Sequence, residues 1–81
     1  MNLYYSPRLK ADIRKISKEI RQKFYKQAEL LRRNLSHPSL RAKKYNEAED
    51  IWQARIDRKY RFYFRIERDT YTLITIKRHS D

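Results

Sequence analysis

Between residues 51 and 79, apolar and polar side chains alternate through three runs, IWQARI, YRFYFRIE and TYTLITIKRH, separated only by DRK and RD. Period-two alternation belongs to strands with one buried face, and connections this short join antiparallel neighbours. The pattern predicts a three-stranded meander. One face collects Trp52, Ala54, Ile56, Tyr60, Phe62, Phe64, Ile66, Thr72, Ile74 and Ile76. The other collects Gln53, Arg55, Arg61, Tyr63, Arg65, Glu67, Tyr71, Leu73, Thr75, Lys77 and His79. By parity, the second face is basic and aromatic.

A sheet with one apolar face needs a cover. The segment MNLYYS reads as a short strand, and Ser6-Pro7 as a helix cap followed by proline at the first helical position. Apolar residues then recur at Leu9, Ile13, Ile16, Ile20, Phe24, Ala28, Leu31 and Leu35, in steps of three or four. A single helix over this stretch would be about 42 Å long at ~1.5 Å per residue. A domain of this length is only roughly 30 Å across. Ser17 is the expected break, giving helices over about 8–16 and 18–34, with Pro38 stopping the second. The polar connection RAKKYNEAED carries a candidate short strand at Ala42 to Lys44. The expected fold class is α+β: an N-terminal short strand, a helical hairpin, then an antiparallel three- to four-stranded sheet packed on the helices. One domain covering residues 1–81 is expected.

Charge narrows the partners. Lys and Arg number 21 against 10 Asp and Glu, a net charge of +11. Ten of the cations fall in residues 1–40 and eleven in residues 41–81, so the charge is not a tail. Such a field favours a polyanion: nucleic acid, an acidic protein or an anionic surface. The chain has no cysteine, which excludes disulfides, thiolate metal sites and thiol nucleophiles. The two histidines, His37 and His79, form no metal-binding motif, so no metal or small-molecule cofactor is expected. His37, beside Pro38, reads as a structural residue at a helix end. There is no apolar run long enough to cross a membrane and no signal-peptide pattern, so a cytoplasmic protein without a membrane partner is expected. Glycine is absent, and positive-φ positions are expected to fall to Asn or Asp.

The segment HPSLRAKK, then IWQARI, then Tyr60-Arg61 ahead of an apolar strand, then a last strand ending in His79, resembles the RelE/ParE superfamily of toxin–antitoxin toxins. With the N-terminal strand and helices, the resemblance spans nearly the whole chain. It favours the RelE/YoeB/YafQ-like branch, whose members are ribosome-dependent mRNA endonucleases. ParE-like members share the fold and inhibit DNA gyrase, and an inactive relative that only binds antitoxin is a third reading. The implied partners are a cognate acidic antitoxin and mRNA in the ribosomal A site. By resemblance, Arg61 lies against the scissile phosphate, Arg55 is a basic neighbour and His79 is catalytic. Lys77 or Arg78 falls where RelE has an arginine, and Glu47 or Glu49 falls near an acidic base of YoeB-like toxins. Gln53 stands where RelE has a lysine, and Ser80-Asp81 follow His79 where relatives often carry an aromatic.

The residues suit this chemistry. RNA carries its own nucleophile in the 2′-OH, so metal-independent cleavage needs alignment, charge stabilisation and proton transfer. Arginine matches phosphate with a two-pronged donor set, and cations at the phosphate stabilise the transition state. Histidine exchanges protons near neutrality and suits protonation of the leaving oxygen. With Glu49 added on the resemblance alone, the candidate catalytic set is Arg61, His79, Arg55 and Glu49. The candidate RNA-binding set is Lys77, Arg78, Arg65, Tyr63, Tyr71, Lys43 and Lys44, with the tyrosines stacking on bases.

Overall fold

Ser6 and Ser17 start the two helices as their spacing predicts. In the computed structural model, which describes residues 1–79, the Ser6 hydroxyl accepts from the Leu9 N–H at 3.1 Å and the Ser17 hydroxyl from that of Ile20 at 3.2 Å. Strand β1 (Asn2–Tyr5) leads into α1 (Pro7–Lys15) and then α2 (Lys18–Arg33). Arg21 of α2 donates to the carbonyls of Ile13 and Ile16, both at 3.2 Å, satisfying groups that the end of α1 leaves without helical partners. The break at Ser17 keeps the helices within a body measuring 31 × 26 × 24 Å. No helix among the described residues is long and apolar enough to cross a membrane.

A single 3₁₀ turn, Pro38–Leu40, follows α2. The His37 Nδ1 accepts from the Ser39 N–H at 3.2 Å and caps it, a structural role. The chain then forms β2 (Lys43–Asn46), β3 (Ile51–Arg55), β4 (Tyr60–Glu67) and β5 (Thr70–Arg78). The sheet has five strands in the order β1-β5-β4-β3-β2. The meander is antiparallel as expected, but β1 joins it in parallel beside β5 and makes the sheet mixed. Period-two patterning could not reveal that partnership, because a four-residue strand at an edge carries no mark of direction.

Both helices cover the face that bears Phe62 and Phe64. The core gathers Leu9, Ile13, Phe24, Ala28 and Leu31 from the helices with Phe62, Phe64, Leu73 and Ile76 from the sheet. Phe24 meets Phe62 edge-on at 5.4 Å between ring centres. Beyond Tyr5, the edge of β5 passes from β1 to α1. There Asp12 accepts from the Thr75 hydroxyl and, at 3.0 Å, from the Ile76 N–H. A carboxylate thus stops the open edge of the sheet. Asp12→Ala removes the acceptor of both donors and is expected to destabilise the fold by about 1–3 kcal/mol. A urea midpoint equal to wild type would show that water replaces it without loss.

One part of the parity reading reverses. β4 and β5 pair as Tyr63↔Thr75 and then Phe64↔Leu73, so Ile74 is an extra residue in β5. One bulged residue turns every preceding side chain to the other face. Tyr71 and Leu73 therefore lie in the core, with only 5% and 0% of their surfaces exposed. Thr72 leaves it for the open face, opposite Arg65. The reversal buries a tyrosine and a leucine in place of a threonine and an isoleucine. Among the described residues, three have positive φ: Arg41, Asp50 and Arg68. Two arginines thus occupy the left-handed region that the sequence assigned to Asn or Asp, at a cost of roughly 1–2 kcal/mol each.

Candidate functional site

The open face of the sheet carries a row of cations set by strand register. Arg55 of β3 pairs with Arg61 of β4, and Arg61 pairs with Lys77 of β5. Alongside runs a second row, Lys43, Gln53, Tyr63 and Thr75. On this face lies a cleft of about 190 Å³, lined by Arg41, Lys43, Gln53, Arg55, Arg61 and His79.

The turn between β3 and β4 holds the two central guanidinium groups. Arg55 Nε donates to the Asp57 carbonyl at 3.3 Å, and one terminal nitrogen of Arg61 donates to the same carbonyl at 2.7 Å and to that of Tyr60 at 3.0 Å. The turn itself is fixed because the Asp57 carboxylate accepts from the N–H groups of Lys59 and Tyr60, both at 2.9 Å. Each guanidinium has five N–H donors, so these bonds orient the groups and leave donors for a ligand. His79 is exposed, and its N–H donates to the Lys59 carbonyl at 2.6 Å, which carries β5 across the same turn and brings its side chain to the cleft.

No ion pair among the described residues involves Arg41, Lys43, Arg55 or Arg61. Burial, followed by the neighbouring charges of Arg41, Arg61 and Arg58, pushes the Arg55 guanidinium below its ordinary pKa, with Asp57 opposing. Like charges held this closely leave a site that an anion relieves. Among the described residues, no group of three or more His, Cys, Asp or Glu converges to hold a metal ion.

The structure brings Arg55, Arg61, Lys43 and His79 together, with Lys77 beside them. It separates others. Lys44 points to the opposite side from Lys43, over the Trp52 ring at 5.1 Å and ion-paired with Asp50. Arg78 pairs with Tyr60, on the helix-covered side of the sheet. Tyr71 is buried against Phe64, edge-on at 5.7 Å, and burial raises its phenol pKa. Its assignment as a base-stacking residue is corrected by the β5 bulge. Tyr63 has the expected orientation but is only 9% exposed, covered by Tyr45 and by Lys77 at 5.8 Å. Arg65 is tied to the Glu49 carbonyl at 3.1 Å. Glu49 lies outside the cation cleft and lines a second cleft on the same face.

Sequence reasoning did not single out Arg41 or Gln27. Arg41 reaches the cleft through its left-handed backbone after the 3₁₀ turn, where no side-chain periodicity operates. Buried Gln27 of α2 donates to the carbonyls of Ser39 at 3.2 Å and Arg55 at 2.9 Å. It thereby joins the helix to the two segments that carry Arg41 and Arg55. The one signal for it was a polar residue within the apolar stripe of α2.

Comparison with known proteins gives the fold and site a context. Residues 3–81 match the family model described as ParE toxin of type II toxin–antitoxin system, parDE. No curated protein sequence matches. A YoeB/ParE toxin from Agrobacterium tumefaciens superposes with a TM-score of 0.81 at 15% identity, covering 99% of this chain and 100% of that one. The YoeB–YefM toxin–antitoxin heterotetramer from Staphylococcus aureus gives 0.77 at 16% identity, over 99% and 98% of the two chains. YafQ from E. coli gives 0.79 at 13% identity, over 96% and 92%.

Proposed function

The chain belongs to the ParE toxin family of type II toxin–antitoxin systems, and we propose that it acts as a ribosome-dependent mRNA endonuclease neutralised by an acidic antitoxin. The observation that carries this reading is the cleft in which Arg41, Lys43, Arg55 and Arg61 converge with His79. A phosphodiester in the cleft meets the oriented guanidinium groups of Arg55 and Arg61. The neighbouring 2′-OH attacks phosphorus and gives up its proton to a base, water in the simplest case. The P–O5′ bond breaks, and His79 donates a proton to the departing oxygen. A 2′,3′-cyclic phosphate and a 5′-hydroxyl result. The arginines stabilise charge that grows on the phosphoryl oxygens, which is worth most where the donors are already in place.

The basic face also suits the partner. An acidic antitoxin segment over the cleft meets its cations and blocks RNA in one step. A second reading, a ParE-type inhibitor of DNA gyrase that does no chemistry, draws support from the description of the family model itself. A pulse of expression separates the two. Cleaved mRNA with arrested translation supports the endonuclease. Arrested replication with gyrase-trapped DNA breaks and intact mRNA contradicts it.

A further inference from the structure

A second cleft, of about 240 Å³, opens on the same sheet face as the cation cleft. Its Tyr63 and Thr75 stand two residues along their strands from Arg61 and Lys77, about 7 Å at ~3.4 Å per residue, within the reach of one nucleotide. Ile51 and Ile74 give it an apolar floor, and Arg8 of α1 and Lys77 of β5 give it a cationic rim. Tyr45 stands at the wall with 59% of its surface exposed. Its ring meets Tyr63 edge-on at 4.9 Å. A register shift in β2 between Lys44 and Asn46 leaves Tyr45 outside the ladder and free to take this position.

Among the described residues, Glu49 is the one acidic side chain lining either cleft. Among the described residues it forms no ion pair, and one carboxylate oxygen accepts from the Asn46 amide at 3.3 Å. Its backbone is held on both sides: its N–H donates to the Asn46 side chain at 3.0 Å, and its carbonyl accepts from Arg65 at 3.1 Å. One cleft is thus lined by a carboxylate, an exposed aromatic ring and two cations.

That combination has a specific complement. The ring offers a stacking plane, the cations suit phosphates on either side of a base, and the carboxylate accepts two parallel hydrogen bonds. Among the four RNA bases, only guanine presents two adjacent donors, its N1–H and N2 amino group. Adenine and cytosine set a ring acceptor beside their amino group, and uracil flanks its N3–H with two carbonyls, all of which a carboxylate repels. A lysine or arginine from a protein partner would also satisfy Glu49, but Arg8 and Lys77 at the rim repel it.

We infer that the second cleft is a nucleobase subsite selective for guanine, with Tyr45 stacking on the base and Glu49 reading its N1–H and N2 amino edge. The inference rests on the endonuclease reading and adds sequence selectivity to it.

Short single-stranded RNAs that differ at one central base, guanine, inosine or adenine, test it by equilibrium binding at fixed low salt. Methylating the 2′-hydroxyls prevents cleavage during the measurement. The guanine RNA is expected to bind about 10- to 100-fold more tightly than the adenine RNA. Inosine, which lacks the N2 amino group, is expected to fall between them. E49Q is expected to remove the preference by weakening the guanine RNA and strengthening the adenine RNA, which the carboxylate repels in the wild type. Tyr45→Ala is expected to weaken all three. Equal binding of guanine and adenine RNAs by wild type overturns the inference, as does an equal loss for both in E49Q, or no binding of any RNA. Cleavage of ribosome-bound mRNA is measured separately. Cleavage without a guanine preference in binding overturns the subsite alone, whereas a guanine preference without cleavage overturns the endonuclease reading alone.

Discussion

Replacing His79 with alanine is expected to slow cleavage of ribosome-bound mRNA by roughly 10²–10⁴-fold, the usual contribution of a positioned general acid. The exposed side chain lines the cation cleft at the end of β5, and the main-chain bond from His79 to Lys59 does not depend on it. Far-UV circular dichroism and melting temperature, measured beside the rate, separate a loss of chemistry from a loss of fold. The slow step should shift to expulsion of the 5′-oxygen. An RNA with a 5′-sulfur leaving group needs no protonation and should restore much of the rate. An unchanged rate in His79→Ala, or no recovery with the sulfur substrate, would remove the histidine from the chemistry.

Arg61→Ala is expected to cost about 10²–10³-fold in cleavage, the range for loss of one preorganised donor at a developing charge. Arg61 sits at the centre of the register row, between Arg55 and Lys77, and its guanidinium is braced by the Asp57 and Tyr60 carbonyls. Arg61→Lys keeps the charge but not the two-pronged donor set, so it should recover only part of the rate. A structural role would appear differently, as a fall in melting temperature that matches the fall in rate. A gyrase inhibitor that does no chemistry has no cleavage rate to lose, so toxicity unchanged in Arg61→Ala would favour that reading.

Much of this site was legible from alternation alone. Arg55, Arg61, Lys77 and His79 share a face because the strands are regular where those residues sit. Alternation misplaces residues where the strand is irregular. Ile74 bulges out of β5, and everything between Thr70 and the bulge changes sides, so Tyr71 moves from the proposed RNA surface into the core. Nothing in TYTLITIK marks the bulge, since threonine and isoleucine both suit either face of a strand. Lys44 was grouped with Lys43, and the resemblance left Lys77 and Arg78 as alternatives, yet adjacent residues of a strand point to opposite faces. The remaining parts of the site depend on distant contacts. Arg41 enters through a left-handed residue, Gln27 through a buried amide on a helix, and Tyr45 through a register shift in a short edge strand. Each is set by tertiary geometry that no local periodicity encodes. The helices were the most readable part because Ser6 and Ser17 both announce a start and supply the capping oxygen.

The most direct test is to map mRNA ends on purified translating ribosomes treated with the wild-type protein and with Arg61→Ala. New 5′-hydroxyl ends are expected within the A-site codon for the wild type, reduced about 10²–10³-fold in the variant. Intact mRNA on wild-type-treated ribosomes, at protein concentrations that arrest cell growth, would contradict the endonuclease reading.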